Sequence, residues 1–493
     1  MGVKKMTDEL SRREFAKVSA GALLAAAALK PEQAAAAATG KPGTKRRYAV
    51  VGVGSRAYLY LDAIQTTHAD SNELVGVCDT NAGRLELARA HARNAGRPEP
   101  RAYPAADFDK MIAETRPDAV IVTTVDSTHA DYICRAMELG CDVVTEKPMT
   151  TEAPMCQRIL DTRAKTKRRC RVAFNYRYMP VRGQLKELLM GGAIGDVMSV
   201  DFHWMLDTHH GADYFRRWHS QKKFSGGLMV HKATHHFDLV NWWLSAMPVS
   251  VRGAGRRGFY TPAMAKRMGL ASHHERCHTC PEKKKCGFEL DLSKDPKLKA
   301  LYLDQEKYDG YFRDRCVFRP EIDIEDSMNV VVTYDTDAIL TYSVNAFSPW
   351  EGYVITFNGT KGRIEHKVVD SISAPFGSAN IPGQVKDHDI SLKVFPLRKP
   401  PYDVAPRSGK GSHGGGDVVM LSDLFSPTPA ADPLLRAADE RSGAYSILVG
   451  VAANRCFETG QTVRIADLVH GLAAPDYPRM PSRTAPLPMP AKV

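Results

Sequence analysis

Residues 48–57 read Tyr48-Ala-Val-Val-Gly-Val-Gly-Ser-Arg-Ala57. A β-branched apolar run meets two glycines, Gly52 and Gly54, and apolar residues then recur at intervals along the next segment. This pattern predicts a strand, a tight turn and a helix. The glycines let the backbone turn sharply and approach a ligand, and the helix N-terminus offers unpaired N–H groups to a pyrophosphate. We therefore expect a phosphate-binding loop, although Arg56-Ala57 stands where the third glycine of the usual fingerprint would come.

An acidic residue follows the second predicted strand. The run from Glu73 to Cys78 is largely apolar, and Asp79 comes next, about 25 residues after Gly54, close to the ~20 expected of a dinucleotide-binding unit. A carboxylate at this point accepts both hydroxyls of an adenosine ribose and repels a 2′-phosphate. Arg84, one helical turn further on, is a weaker signal in the opposite direction. The sequence therefore favours NAD over NADP.

Two further predicted strands lead into polar loops. Residues 119–124 precede Asp126-Ser-Thr-His129, and residues 141–144 precede Thr145-Glu-Lys-Pro148. Strands that alternate with helices of ten or more residues imply right-handed βαβ units and a parallel sheet. Loops at the carboxyl ends of such strands meet at one crevice. We therefore expect these loops to surround the cofactor.

These motifs resemble those of the glucose–fructose oxidoreductase, inositol dehydrogenase and MocA (Gfo/Idh/MocA) family. The resemblance covers essentially everything after residue 45, and the Glu-Lys-Pro signature is fairly specific. The matching segments are Gly52-Val-Gly-Ser-Arg56, Asp79, the loop ending at His129, Glu146-Lys147-Pro148, Asn175-Tyr-Arg-Tyr178, Gly226-Gly227, His235-His236-Phe-Asp238, Asn358-Gly-Thr-Lys-Gly362 and His413-Gly-Gly-Gly-Asp417. The resemblance implies an α/β protein, with an NAD-binding Rossmann domain at 46–172 and a substrate and oligomerisation domain at 173–475. The second domain should contain a large open, mostly antiparallel sheet that commonly serves dimerisation, so we expect a homo-oligomer, a dimer or a tetramer.

The resemblance also implies roles for individual residues. It makes Lys147 and His235 the groups that handle the proton of a substrate hydroxyl, and Tyr176 a residue that positions the substrate ring. A desolvated lysine loses its proton more easily and acts as a base. The residues expected to bind the cofactor are Gly52, Gly54, Ser55, Arg56, Asp79, Thr124, His129, Glu146, Lys147 and Asn175. We therefore expect an NAD(P)-dependent oxidoreductase that acts on a hydroxyl of a small carbohydrate, a sugar or a cyclitol.

One position departs from the family pattern. Dehydrogenases of this family usually carry an aspartate four residues before the catalytic histidine, and this chain has His231 there. An imidazole cannot act as the fixed anionic partner of His235, so the usual Lys–Asp–His scheme is in doubt. NAD-dependent exo-glycosidases of the α-N-acetylgalactosaminidase type also lack that aspartate and carry a pair like Thr234-His235. They oxidise C3 of the sugar, eliminate the aglycone, add water and return the hydride.

Three interpretations therefore stay open for the function. The oxidoreductase comes first, the NAD-dependent exo-glycosidase is the alternative, and a sugar-binding protein without turnover is the third. The spacing of His231, His235 and His236 also permits a metal site, although no carboxylate ligand is obvious.

The first 38 residues read as an export signal. Arg12-Arg13 precede an apolar run from Val18 to Leu29, and the alanines at 34–38 offer a cleavage site. This is the pattern of a twin-arginine signal, and the run is shorter than the ~20 residues that span a bilayer. We expect the twin-arginine export machinery as a partner, a periplasmic or extracellular location and no stable membrane span. A compartment without a pool of NAD requires the cofactor to be tightly bound and regenerated in place.

Four cysteines cluster in a polar insertion at 271–316. Cys277 and Cys280 are separated by two residues, Cys286 follows after five more, and Cys316 ends the insertion. Thiolates at this spacing can hold a structural Zn²⁺ or Fe–S centre, and in an exported protein they can equally form two disulfides. Either arrangement would stabilise an insertion too polar to build its own core.

The remainder of the chain completes the second domain. The formal charge of +11 is modest for 493 residues and the basic residues are scattered, so we expect no nucleic-acid partner. Residues 326–365 predict successive strands, whereas 370–412 are rich in Pro, Gly and Ser and predict a long loop. His413 and Asp417 follow that loop at the start of a predicted helix, where either side chain could reach a substrate.

Overall fold

Parallel strands dominate the first of two sheets. The computed structural model describes residues 44–272, 274–372, 389–411 and 413–490, so the predicted export signal lies outside the described residues. The strands of the first sheet are β1 Arg46–Val51, β2 Asn72–Asp79, β3 Arg101–Pro104, β4 Ala119–Val122, β5 Asp142–Thr145 and β6 Cys170–Val172. Their order is β6-β5-β4-β1-β2-β3, all parallel, and the short strand Ala438–Asp439 pairs antiparallel with β6.

The strand β1 lies in the middle of this sheet because it is apolar on both faces. Ala49 and Val51 belong to one buried cluster, and Tyr48 and Val50 belong to another on the opposite face. β1 pairs with β2 on one side and with β4 on the other. The strand order therefore reverses at β1, and the crevice at the carboxyl ends of such strands is where open α/β sheets bind ligands. The helices of this part are α1 Tyr58–Asp62, α2 Ala82–Asn94, α3 Phe108–Thr115, α4 His129–Glu138 and α5 Ala153–Thr166.

The second sheet is larger and mixed. Its strands are β7 Val197–Asp207, β8 Pro248–Arg256, β9 Ser327–Tyr334, β10 Ile339–Ser348, β11 Trp350–Gly359, β12 Gly362–Ile372, β13 Ile390–Pro396, β14 Tyr402–Asp403 and β16 Val463–Arg464. The label β15 is given to Ala438–Asp439, the short antiparallel strand of the first sheet. The order is β14-β13-β12-β11-β7-β10-β9-β8-β16, and among these described strands the β7–β10 pair is parallel while the other pairs are antiparallel. The prediction of a Rossmann-like domain followed by a domain with a large, mostly antiparallel sheet is confirmed.

One face of the second sheet is covered and the other is open. In β10, Leu340, Tyr342 and Val344 are buried, whereas Ile339 and Thr341 are exposed, the alternation of a sheet with one solvated face. The helices of this part are α6 Pro180–Met190, α7 Thr208–Arg216, α8 Lys222–Ser225, α9 Gly227–His231, α10 Thr234–Leu244, α11 Pro262–Arg267, α12 Pro296–Leu301, α13 Glu306–Asp309, α14 Gly416–Phe425 and α15 Glu440–Thr459. Within the described ranges, none of the helices combines the length and the apolar character needed to cross a membrane.

The segment predicted as one long loop at 370–412 is not all loop. β12 extends to Ile372, and β13 and β14 lie within the same segment, while 373–388 fall outside the described residues. Leu392 and Val394 are buried with Lys393 exposed between them, which is the two-residue period of a strand. The prediction was wrong here because the surrounding Pro and Gly residues obscured a short alternating run.

A buried ion pair fixes the start of the second domain. The turn Asn175–Tyr178 follows β6, and Arg177 within it donates to both carboxylate oxygens of Asp238 on α10, at 2.8 and 2.6 Å. Both side chains are 1% exposed. Arg177 points into the core, because its guanidinium finds its bidentate partner there. The pair thereby holds the turn against α10.

Replacement of Asp238 by Asn should destabilise the protein by about 3 kcal/mol, because one partner of a buried pair is then left uncompensated. Denaturant unfolding measures the loss. The matched control is Asp109→Asn, which removes a carboxylate from the exposed pair with Arg135 and should cost less than about 1 kcal/mol. Equal losses in the two variants would contradict the role given to the buried pair.

Candidate active site

One large cavity lies where the carboxyl ends of the first sheet meet the helices of the second domain. Its volume is about 1770 Å³. All twelve residues predicted to bind cofactor or substrate line it: Gly52, Gly54, Ser55, Arg56, Asp79, Thr124, His129, Glu146, Lys147, Asn175, Tyr176 and His235. His413 and Asp417 line it as well. The structure thus brings these residues together, and the role of each stays a prediction.

The loop after β1 is shaped for a close backbone approach. Gly52 has φ +83°, and a Cβ there would stand 2.8 Å from the backbone of Thr123, so only glycine fits. Asp79, at the end of β2, accepts the backbone N–H groups of Val53 and Asn81 at 2.7 and 2.8 Å. These bonds fix the carboxylate beside the loop, as recognition of a ribose hydroxyl requires.

A buried network joins this loop to the Glu-Lys-Pro segment. Glu146 accepts from Arg56 at 2.5 Å and from the hydroxyl of Tyr60 at 2.7 Å. Burial alone would raise the pKa of Glu146, but Arg56 and Tyr60 hold it below its usual value. Asp417 accepts from Asn175 at 2.7 Å, and the buried Oδ1 of Asn175 has no hydrogen-bond partner among the described residues. An unpaired acceptor beside the glycine loop fits a cofactor with N–H or O–H donors.

His129 connects two of the loops. Its Nδ1 lies 2.8 Å from the carbonyl oxygen of Pro148, and its Nε2 lies 3.2 Å from that of Thr124. The Lys147–Pro148 peptide bond is cis. Burial lowers the pKa of His129. The His129 ring therefore connects the loop after β4 to the loop after β5 at the edge of the crevice.

The ammonium of Lys147 is held by a residue of the second domain. Its Nζ lies 3.3 Å from Nε2 of His231 and 3.2 Å from the carbonyl oxygen of the same residue. Nδ1 of His231 lies 2.5 Å from a carboxylate oxygen of Asp126. Position 231 carries no carboxylate, but the carboxylate of Asp126 lies on the far side of the His231 imidazole. Through His231 it is connected to Lys147 and not to His235.

Burial sets the protonation of this Lys147–His231–Asp126 relay. It lowers the pKa of Lys147 to about 8, against the opposing charges of Asp126 and Glu146. Burial and then the charge of Lys147 lower the pKa of His231 well below its usual range. Burial raises the pKa of Asp126, and Lys147 opposes that rise. A neutral imidazole with its proton on Nδ1 donates to Asp126 and leaves Nε2 to accept from Lys147.

His235 and Tyr176 form a stacked pair on the other side of the cavity. Their ring centroids are 4.0 Å apart at an interplanar angle of 11°. Burial, followed by the charge of Lys147, lowers the pKa of His235 well below its usual range, and its buried Nδ1 has no partner within the described part of the chain. Nζ of Lys232 lies 3.4 Å from the hydroxyl of Tyr176 and 3.8 Å from Glu351.

Several neighbouring residues face elsewhere. Thr234 bonds to Ser446 at 3.0 Å in the core, and His236 bonds to the hydroxyl of Tyr342 at 2.6 Å. Tyr178 bonds to Asp423 at 2.6 Å. Among the residues that the structure describes, no group of three or more His, Cys, Asp or Glu side chains is arranged to hold a metal ion. The histidines near position 235 thus have other partners, and the metal interpretation gains no support.

The four cysteines of the insertion lie around one small cavity. Cys277, Cys280, Cys286 and Cys316 line a space of about 20 Å³. All four are free thiols, with no disulfide between them. The structural Zn²⁺ or Fe–S centre stays a prediction, because the described side chains form no metal-binding group here either.

Sequence reasoning did not foresee Asp126 as the partner of His231, nor the part that the insertion takes in the cavity. Asp126 carried a usable signal, because it follows the carboxyl end of β4, where ligand-binding loops gather. Tyr302 and Asp309 of the insertion also line the cavity. No local pattern marks them, because their partners lie more than 200 residues earlier in the chain.

Lys147 should react with an acylating reagent with a pH midpoint near 8, because only the neutral amine is nucleophilic. Asp126→Asn removes a carboxylate that raises the pKa of Lys147, so the midpoint should move to lower pH. Competitive acylation followed by mass spectrometry measures both, with the exposed Lys165 in the same sample as the internal reference. An unchanged or higher midpoint in Asp126→Asn would contradict the electrostatic account.

Comparison with known proteins agrees with the fold and the glycine loop. A family model described as the oxidoreductase family, NAD-binding Rossmann fold, matches residues 46–174, and the C-terminal alpha/beta domain of the same family matches 186–465. The Bacillus subtilis protein YteT, whose name classes it among the oxidoreductases, is 38% identical over 419 residues, covering 81% of this chain and 93% of YteT. A glycosyl hydrolase family 109 protein of a Shewanella species is 24% identical over 240 residues, 47% of this chain and 50% of that protein.

Solved structures with the same fold are more distant in sequence. The aldose-aldose oxidoreductase of Caulobacter crescentus, complexed with glycerol, matches with a TM-score of 0.57 at 17% identity, over 85% of this chain and 100% of that one. The WlbA dehydrogenase of Bordetella pertussis, in complex with NADH and UDP-GlcNAcA, matches with a TM-score of 0.56 at 18% identity, over 85% and 99%. With both family models matched across most of its length, the chain belongs to the Gfo/Idh/MocA family of NAD-binding oxidoreductases.

Proposed function

We propose that this protein uses a tightly bound NAD to oxidise or reduce a hydroxyl-bearing carbon of a sugar or cyclitol. The observation that carries the proposal is the placement of Lys147. Its amine lies beside the cofactor loops, is held by His231, and shares one cavity with His235 and Tyr176. A base, a second proton-transfer group and a tyrosine that can position a substrate are thus within one site.

The residues that would hold NAD are those around the glycine loop. The backbone N–H group at Gly54 suits the pyrophosphate, Asp79 suits the adenosine ribose, and Asn175 offers an unpaired acceptor among the described residues. When bound, NAD supplies a hydride acceptor, or a donor in its reduced form. The structure of WlbA in complex with NADH and UDP-GlcNAcA supports a sugar substrate through likeness of fold.

The relay prepares Lys147 to act as the base. A neutral Lys147 amine has two N–H groups, and both find acceptors on His231, at Nε2 and at the main-chain carbonyl. Its lone pair is then left for the hydroxyl proton of the substrate. Once protonated, the ammonium is stabilised through His231 by the carboxylate of Asp126. A base with a pKa near the working pH is the most efficient for such a step.

His235 and Tyr176 would complete the substrate side. Stacking fixes the plane of the imidazole, and the low pKa of His235 keeps it neutral, so it can exchange a proton with a second hydroxyl. Tyr176 is held by Lys232 at its hydroxyl. The ring of Tyr176 stacks on His235, and the guanidinium of Arg182 lies 4.1 Å from its centroid, so its hydroxyl edge is the part that would position the substrate ring.

The export and retention of the cofactor belong to the same proposal. The twin-arginine pattern of residues 1–38 supports passage of the folded protein out of the cytoplasm, to the periplasm or beyond. A cofactor that cannot be replaced there must remain bound between turnovers. We also propose that the open face of the second sheet, where Val331 and Ile339 are exposed, meets a second copy of the chain.

An NAD-dependent glycosidase is the second candidate. His231 in place of the usual aspartate favours it, and the glycosyl hydrolase family 109 protein supports it over about half of each chain. The pair Thr234-His235 adds less, because Thr234 bonds to Ser446 in the core and does not face the cavity. In this reaction Lys147 would also remove the proton from the carbon next to the oxidised carbon, so the Lys147–His231–Asp126 relay would act in the same way.

Replacement of Lys147 by Met should lower turnover by about a hundredfold or more, because a positioned base is lost, while bound nucleotide is retained. A panel of aldoses, inositols and glycosides, assayed without added nucleotide, supplies the measurement. Lys165→Met, on the exposed surface of α5, is the matched control and should be as active as the native protein. Turnover that survives in Lys147→Met would contradict the proposal and would favour a binding protein or a different base.

The products separate the two candidate reactions. An oxidoreductase converts a free sugar to a ketone or lactone, or passes the hydride to a second sugar, and leaves glycosidic bonds intact. A glycosidase releases the aglycone and, because the carbon next to the oxidised one loses its proton, should incorporate solvent deuterium there. Release of aglycone without that deuterium would exclude the redox route to cleavage.

A further inference from the structure

The Cys-rich insertion packs directly on the dinucleotide-binding part of the first domain. Ser55 donates its backbone N–H to the hydroxyl of Tyr302 at 3.1 Å, and Asn81 donates its side-chain N–H to the carbonyl of Gln305 at 3.1 Å. A Cβ at Gly83 would lie 1.8 Å from Oε1 of Gln305. The insertion therefore forms a second wall of the cleft, opposite the ends of β1 and β2.

A carboxylate on this wall meets the ribose end of the cleft. Asp309 at the end of α13 forms an ion pair with Nη2 of Arg84, and the same nitrogen lies 3.5 Å from Oδ1 of Asp79. The other oxygen of Asp309 accepts the backbone N–H of Tyr311 at 3.1 Å. Asp79, Arg84 and Asp309 all line the large cavity. Two carboxylates thus share one guanidinium at the point where an adenosine ribose would be recognised.

We propose that Asp309 is a cofactor-specificity residue of the insertion, which holds Arg84 and thereby excludes a dinucleotide that carries a 2′-phosphate. The inference rests on the proposed use of NAD and deepens it. A nearby arginine is the residue type that accommodates a 2′-phosphate. Here its positive charge is already neutralised, and the second carboxylate leaves the site with an excess of negative charge. A 2′-hydroxyl can still donate to Asp79, whereas a phosphate would meet two like charges.

The charged groups at this site are partly buried, so solvent screens their interaction with a phosphate only weakly. The side chain of Arg84 is 11% exposed and that of Asp309 is 16% exposed. Pairs this shielded are screened much less by salt than exposed ones. Arg84 makes ion pairs with Asp79 and Asp309 among the described residues. Removal of the charge of Asp309 therefore releases a guanidinium beside the ribose position.

The test is Asp309→Asn, which keeps the size of the side chain and the acceptor for Tyr311. Its affinity for NADPH relative to NADH should rise about tenfold, because a charge-assisted contact with the 2′-phosphate becomes available. Asp304→Asn is the matched control: Asp304 lies on the same insertion, pairs with the exposed Lys299, and does not line the cavity. Dissociation constants come from energy transfer between tryptophan and the reduced nicotinamide, and the nucleotides released on denaturation give a second ratio.

A double variant identifies the mechanism. In Arg84→Ala with Asp309→Asn the gain for NADPH should disappear, because the guanidinium that binds the phosphate is gone. A preference unchanged in Asp309→Asn, or a gain that persists without Arg84, would overturn the inference. Failure of the proposed function looks different, because the native protein itself would then bind neither nucleotide.

Discussion

The imidazole of His231 is held between two side chains of the other domain. Asp126 and Lys147 follow neighbouring strands of the first sheet, and His231 ends a helix of the second domain, 105 and 84 residues away from them in sequence. All three groups are largely shielded from water, so each needs its partner. This contact joins the two sides of the crevice, and it places the carboxylate of Asp126 where it raises the pKa of Lys147 against the effect of burial.

The same contact shows how the pKa of Lys147 is controlled when position 231 carries a histidine in place of the family's usual aspartate. A carboxylate in direct contact with the base would raise its pKa more strongly than one behind an imidazole. Here burial dominates and the pKa of Lys147 falls to about 8. With the negative charge one group further away, Lys147 is partly neutral at ordinary pH. No carboxylate of the described residues bonds to His235, and its neutrality follows from burial and from nearby positive charge.

Much of the fold followed from local patterns. Short stretches of adjacent residues predicted the loop at Gly52, the acidic residue Asp79 and the strands of the first sheet. This was possible because a strand, a turn and a contact with the ribose each depend on a few neighbouring residues. β13 was missed since its alternating run is short and surrounded by Pro and Gly. The contacts of His231 with Asp126 and of Arg84 with Asp309 could not be read from the sequence, because they depend on how two domains and an insertion meet. The contact of Arg177 with Asp238 likewise depends on how a turn packs against a helix further along the chain.

The nucleotide content of the protein, purified from its native compartment and then denatured, decides whether this site works as described. Chromatography of the released material should give near-stoichiometric NAD or NADH. A protein that carries NAD through purification can run a closed hydride cycle outside the cytoplasm, with Lys147 as its base. A protein that is empty, and that also fails to bind NAD when it is supplied, would contradict the account, and a sugar-binding protein without turnover would replace the enzyme.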